Sequence, residues 1–285
     1  MSEIIKSRDP FIDLYNQRWA LNYGDNAKKE TPEFWNERAE DFARKAHSVE
    51  ARRDAENFLA NFDWDENETV LDVGAGPGSF AIPLARKVKK VVATDFSLEM
   101  LEQLKFRAAQ ENIENIEMLP GRWLELELSQ TYDTVLCLNS FGVISTDANH
   151  NCRIIDSLKK LATVCSKRLI ILIPHADSPL PMNLRVQLGL NEIALERKRI
   201  AILYCAMVDC GMLPDLRILK RPFRWTFKNM LEAVETLLIK AGLDENNLSA
   251  REKMQNYLQD KLRKEDSGDV SLAYNVSQAL FVWEK

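Results

Sequence analysis

The stretch Val70 to Phe80, "VLDVGAGPGSF", decides how the rest of the chain reads. It sets Gly74, Gly76 and Gly78 directly behind one apolar run and ahead of another, "AIPLA". An apolar run that ends in alternate glycines is the pattern of a strand turning tightly into a helix. With no side chains at those positions a ligand can lie on the main chain, and the helix start adds outward N–H donors. A carboxylate follows at Asp95, 17 positions past Gly78, at the end of the apolar run "KVVATDF". Its two oxygens match the vicinal hydroxyls of a ribose, so the expected ligand contains a nucleoside. A dinucleotide fingerprint, GxGxxG, would need glycine where this chain has Ser79.

Outward from that stretch, strand-like runs alternate with helical patterns, which predicts an α/β fold with a doubly wound, mostly parallel sheet. Strands are expected at 69–74, 90–96, 116–121, 133–140 and 168–174, with two more at 216–227 and 270–285. Helices are expected from about Ser79, after Ser97 as a cap, and around 150–166. Ahead of the sheet, residues 1–62 read as an N-terminal helical cap belonging to the same domain as 63–285. Thr31 and Pro32 start one helix that runs through "EFWNERAEDFARKA", and Ser48 starts another. Between the last two strands lies a helical insertion, about 226–264. Phe227, Met230, Leu231, Val234, Leu237, Leu238 and Ala241 form its apolar stripe, Gly242 ends that helix, and Ser249 with Glu252 has capping-box spacing. An added packing layer and a lid over a substrate pocket are equally compatible with this pattern.

The 285 residues carry a net charge of -5, which disfavours a protein built chiefly to grip nucleic acid phosphates and favours a small-molecule partner. The opening residues lack a secretory apolar core, and the run "LIILI" is too short to span a bilayer, so a cytoplasmic setting without membrane contact is expected. Five cysteines without a CxxC pair read as buried reduced thiols, and no metal site is expected.

With "VLDVGAGPGSFAIPLA" as a first motif and "VVATDFSLEML" as a second, the chain resembles the class I S-adenosylmethionine-dependent methyltransferase superfamily. "GRW" after the third strand and "YDTVLCLNSFGVI" at the fourth add support. The resemblance implies a Rossmann-like sheet of seven strands and S-adenosyl-L-methionine as cofactor. It puts Asp72, Gly74, Gly76 and Gly78 beside the methionine end, Asp95 on the ribose, and Phe96 and Met100 near the adenine. Relatives often carry an acidic residue after the glycine that follows strand three; this chain has Arg122 after Gly121, with Trp123 as an apolar wall. Asn139 and Ser140 take the position that faces the transferring methyl. "NSFG" departs from the "NPPY" type associated with planar amino groups, which lowers base methylation.

Methyl transfer asks chiefly for positioning and needs few dedicated side chains. His175, directly after the fifth strand, is the candidate base, ahead of His150 and Asp177, while His47 reads as a surface residue. Trp35 is the N-terminal aromatic expected to cover the cofactor. The basic cluster Arg217, Lys220, Arg221, Arg224 and Lys228 reads as a solvated face. The leading expectation is an enzyme that methylates a small molecule. Protein or RNA methylation, an NAD-dependent oxidoreductase and a non-catalytic cofactor-binding regulator are the alternatives.

Overall fold

The computed structural model describes residues 10–23, 31–174, 182–190, 195–265 and 268–285. They divide into two compact units: Met1–Ile173 with Ala201–Arg217 and Leu280–Lys285, and Pro174–Ile200 with Ile218–Ala279. The first division falls at the end of the fifth strand. The helices before the sheet group with the first unit, and the segment 226–264 groups with the second.

The first unit is built around β1 (Thr69–Val73), which pairs in parallel with β2 (Lys90–Asp95) on one side and β4 (Tyr132–Leu138) on the other. β3 (Ile116–Pro120) and β5 (Cys165–Pro174) extend the sheet in parallel. The strand order is β3-β2-β1-β4-β5-β8-β6, where β6 is Asp215–Phe227 and β8 is Val270–Glu284. Order reverses between β1 and β4, the place where open α/β sheets form a crevice at their carboxyl ends. Leu71 lies opposite Val92 and Val135, and Val70, Leu71 and Val73 are fully buried. Such a strand is covered on both faces, which is why its sequence is a nearly continuous apolar run. Asp72 interrupts that run and is nonetheless buried.

Helices cover the sheet: α1 (Pro10–Tyr23), α2 (Pro32–Asn36), α3 (Ala39–Ala46), α4 (Val49–Leu59), α5 (Ala81–Ala85), α6 (Leu98–Gln110), α7 (Phe141–Ile144) and α8 (Ile154–Val164). Thr31, Ser48 and Ser97 each accept a backbone N–H two or three residues into the following helix, as side-chain caps do. The single helix expected through "EFWNERAEDFARKA" is instead two, α2 and α3, separated at Glu37 and Arg38. α2 and α3 both pack on α6, α4 packs on α5, and α1 packs on α8.

The second unit holds α9 (Met182–Gln187), most of β6 and β8, α11 (Met230–Lys240), α12 (Leu248–Gln259) and the two-residue β7 (Arg263–Lys264). α10 (Leu195–Asp209) runs largely in the first. β7 pairs antiparallel with the start of β8 and makes the sheet eight-stranded rather than seven-stranded. The unit has an apolar core of its own: Leu184, Phe227, Val234, Leu237, Leu238, Ala250, Met254, Leu258 and Leu272 are buried together. Leu231, expected in the buried stripe, is exposed, and Ala233 takes its place. The cap of α12 is Asn247, which accepts from Ala250 N–H, and not Ser249 two residues later. Gly242 ends α11 in the left-handed region, as expected.

Candidate functional site

At the carboxyl ends of β1, β2 and β4 the first unit forms a cavity of about 160 Å³ that opens to solvent. Three loops meet there, and Asp95 joins them. Its Oδ2 accepts the N–H of Gly76 and its Oδ1 the N–H of Ser97, both at 2.9 Å, while its backbone carbonyl accepts the N–H of Gly121 at 2.9 Å. Gly74 and Ala75 both donate to the Thr94 carbonyl, which turns the chain sharply off β1. Gly76 has φ +55°, and nothing stands within 4 Å of where its Cβ would lie, so the main chain is bare toward the cavity. Gly78 does different work. It is outside the cavity wall, and a Cβ there would run into the Leu104 side chain of α6. The missing side chain there permits close helix packing behind the loop.

Burial is the largest influence on the Asp95 carboxyl and raises its pKa, partly opposed by the amides of Ser97, Gly76 and Phe96. Asp72 has no such help. Burial first, and the neighbouring Asp95 second, push its carboxyl up to about 7. Its Oδ2 is buried without a hydrogen-bond partner among the described residues. Thr94 Oγ1, Trp35 Nε1 and Trp123 Nε1, from three other residues of the cavity wall, are in the same condition. Buried polar atoms are nearly always satisfied in folded proteins, so four orphans around one cavity mark a place built for a polar ligand. A ligand with a ribose, an amino acid portion and a purine fits that donor and acceptor set, the bare Gly76 backbone and the apolar side walls.

The N-terminal helices supply part of the wall through Trp35 and Phe42, whose rings meet edge to face at 5.7 Å. Two hydrogen bonds tie these helices to the loops. Ser97 Oγ donates to Asn36 Oδ1 at 2.7 Å, and His47 Nε2 donates to the Pro77 carbonyl at 2.9 Å. His47 is thus half-buried and anchored on the glycine loop, not a surface residue as its sequence context suggests. Burial lowers its pKa.

Arg122 lines the cavity with its guanidinium carbon 5.1 Å from the Phe96 ring centroid, and its Nη1 donates to the Thr146 carbonyl at 3.3 Å. Trp123 is held from behind by Lys160, whose Nζ donates to the Trp123 carbonyl at 2.5 Å and to that of Leu126. Met100 and Gly121 also reach the wall. Asn139 does so in the left-handed region, φ +63°, with its N–H on the Leu172 carbonyl at 2.7 Å. Ser140 Oγ donates to the Val73 carbonyl at 2.6 Å and so belongs to the frame of the loop. His150 is exposed and outside the cavity wall. His175 and Asp177 lie outside the described residues.

Every other cofactor residue expected from sequence, Gly78 apart, therefore converges on one cavity. Asn36 and His47 were not legible, because their partners, Ser97 and Pro77, are distant in the chain. Among the described residues no helix is long and apolar enough to cross a membrane.

Comparison with known proteins bears on this arrangement. Residues 70–160 match the family model described as "Methyltransferase domain". The chain is 35% identical over 79 residues to a probable ribosomal RNA small subunit methyltransferase A of Methanosphaera stadtmanae, covering 28% of this chain and 29% of that protein. It is 33% identical over 136 residues to the chloroplastic magnesium protoporphyrin IX methyltransferase of Arabidopsis thaliana, covering 46% and 40%. The match thus spans well under half of either relative. The crystal structure of the Bacillus subtilis YcgJ protein superposes with a TM-score of 0.52 at 13% identity, over 82% of this chain and 98% of that one, a likeness of fold. The segment 70–160, which carries the glycine loop and β1 to β4, is thus similar to methyltransferase domains, and the match is consistent with the class I S-adenosylmethionine-dependent methyltransferase superfamily.

Proposed function

We propose that this protein transfers a methyl group from S-adenosylmethionine to a small-molecule acceptor. The observation that carries the reading is the single cavity in which Asp95 ties the glycine loop to two further loops while Asp72 and Thr94 keep buried polar atoms unpaired. Asp95 retains acceptor capacity for a ribose diol beside the two amides it already binds. Asp72 and the Gly74 to Gly76 backbone suit the amino acid portion, and Phe96, Met100 and Arg122 the purine. When bound, the cofactor supplies an electrophilic methyl carbon on a sulfonium, open to in-line displacement.

The chain's own residues then position and shield. Trp35 and Phe42 offer apolar surface that excludes water, and Asn139, in the cavity wall at the end of β4, is proposed to orient an acceptor. His175, next after β5 in sequence, is proposed to take a proton from the acceptor. The net charge of -5 and the "NSFG" sequence favour a small acceptor over RNA. The archaeal relative's name supports the competing RNA reading. A cytoplasmic setting accords with five free cysteines.

Incubation with radiolabelled methyl donor and a size-fractionated cell extract tests the reading. Label confined to the small-molecule fraction is expected. Label in RNA or protein contradicts the choice of acceptor, and no label in any fraction contradicts turnover.

A further inference from the structure

Two hydrogen bonds run from the N-terminal helices to the loops of the cavity, and they land beside the two amides that Asp95 holds. On the glycine loop Asp95 Oδ2 accepts the Gly76 N–H, and one residue further the Pro77 carbonyl accepts from His47 Nε2 at 2.9 Å. On the turn between β2 and α6 Asp95 Oδ1 accepts the Ser97 N–H. The Ser97 hydroxyl gives its single proton to Asn36 Oδ1 at 2.7 Å and accepts the Met100 N–H at 3.2 Å. Each loop is therefore gripped twice at nearly the same point, once by the carboxylate and once by a side chain of the N-terminal helices. His47 and Asn36 are outside the cavity wall, whereas Pro77 and Met100 are part of it. The His47 backbone is itself fixed, its N–H on the Ala43 carbonyl at 2.9 Å and its carbonyl accepting from Arg52 Nε at 3.0 Å. Asn36 closes α2 directly after Trp35, and His47 follows α3, which carries Phe42.

From this geometry we infer that His47 and Asn36 are positioning residues for the methyl donor. Acting through Pro77 and Ser97, they hold the glycine loop and the β2–α6 turn at the spacing in which one ligand meets both. The inference rests on the proposed methyl-donor reading of the cavity. A loop with glycines in the left-handed region at 74, 76 and 78 has few side chains of its own to fix it. Where such a loop moves freely, the ligand must order it, and affinity falls. A hydrogen bond already made in the free protein removes that loss, because apparent Kd varies inversely with the fraction of molecules in the binding-competent form. The Pro77 carbonyl is an effective point to hold, since it belongs to the peptide that leads into Gly78, where α6 comes close. Burial, the largest influence on His47, lowers its pKa and favours the neutral ring, whose proton then sits on Nε2, facing the carbonyl. The coupling is reciprocal: a ligand that steadies the two loops also steadies α2 and α3, and with them Trp35 and Phe42.

Calorimetric titration of the full chain with S-adenosylhomocysteine tests this in the wild type, His47→Phe, His47→Gln and Asn36→Leu. Phenylalanine keeps a ring and loses the N–H, glutamine keeps an N–H donor, and leucine keeps the bulk of asparagine without its acceptor. His47→Phe and Asn36→Leu should each raise Kd by about fivefold, the net worth of one hydrogen bond, while His47→Gln stays within about twofold of the wild type. Denaturant titration of the same proteins separates positioning from support of the fold. Kd unchanged in either His47→Phe or Asn36→Leu, whatever the change in unfolding midpoint, overturns the inference and leaves the methyl-donor reading standing. A Kd for His47→Gln raised as far as that for His47→Phe also overturns it. Should the His47 variants fail to fold, Asn36→Leu decides by the same fivefold criterion. A wild type that does not bind S-adenosylhomocysteine overturns the methyl-donor reading, and the inference with it.

Discussion

The two ends of the central strand carry buried acids that are treated in opposite ways. At the amino end, Glu68 accepts a hydrogen bond from Thr134 Oγ1 and pairs with Arg168 at 3.5 Å, and Arg168 in turn lies against Trp64, 4.9 Å from its ring centroid. Beside it, Asp133 accepts from the N–H and Oγ1 of Thr69 and pairs with Lys167 at 3.2 Å. Burial alone would raise the Asp133 carboxyl, yet Thr69 and Lys167 outweigh it and hold it low. At the carboxyl end, four residues away in the same chain direction, Asp72 has, among the described residues, another carboxylate, Asp95, as its charged neighbour and an unpaired oxygen. Charge that is answered within the fold serves the fold; charge left unanswered beside a cavity is available to a ligand.

The largest effect should come from breaking the hub at the carboxyl end. Asp95→Ala frees the Gly76 and Ser97 amides and removes the proposed ribose acceptor, and should weaken S-adenosylmethionine binding by about 100-fold or more in calorimetry. At the amino end Arg168→Met leaves Glu68 buried without its cation. It should lower unfolding stability by about 2–3 kcal/mol in denaturant titration and leave the cofactor Kd within about twofold. Asp72→Asn should have the opposite sign. A carboxyl whose folded pKa is raised stabilises fully below its unfolded value and loses that contribution as pH rises through about 7. The variant should therefore unfold at higher denaturant than wild type at pH 8, by on the order of 1–2 kcal/mol, with the gain vanishing by pH 4. The smallest change is expected for Lys167→Met, because that lysine is mostly exposed: no resolvable shift of the unfolding midpoint in the same titration. A large loss of cofactor affinity in either amino-end variant would erase the contrast between the ends.

What was legible in the sequence had a local signature. The glycine loop, the Ser97 cap and Asp95 at a strand end each follow from spacing within a few residues, and together they located the cavity. Features whose partners are far along the chain had no such signal. His47 reaches Pro77 across 30 positions, Asn36 reaches Ser97 across 61, and Arg168 completes the Glu68 cluster across a hundred. Motif spacing puts Gly78 at the ligand, whereas in the fold it lies outside the cavity wall, where an added Cβ would meet Leu104 on α6. The break between α2 and α3 was hidden because apolar recurrence continues across it. Leu231 fits the helical period of α11, yet that face is turned to solvent in favour of Ala233.

The most direct measurement is hydrogen–deuterium exchange on the full chain with and without S-adenosylmethionine, resolved to single amides. Slowed exchange is expected at Gly76, Ser97 and Gly121, the amides gathered on Asp95, with Thr69 and its neighbours at the amino end of β1 unchanged. Unchanged exchange at those three amides at saturating cofactor, or protection centred on the Glu68 and Arg168 cluster, would contradict the assignment of the carboxyl-end cavity to the methyl donor.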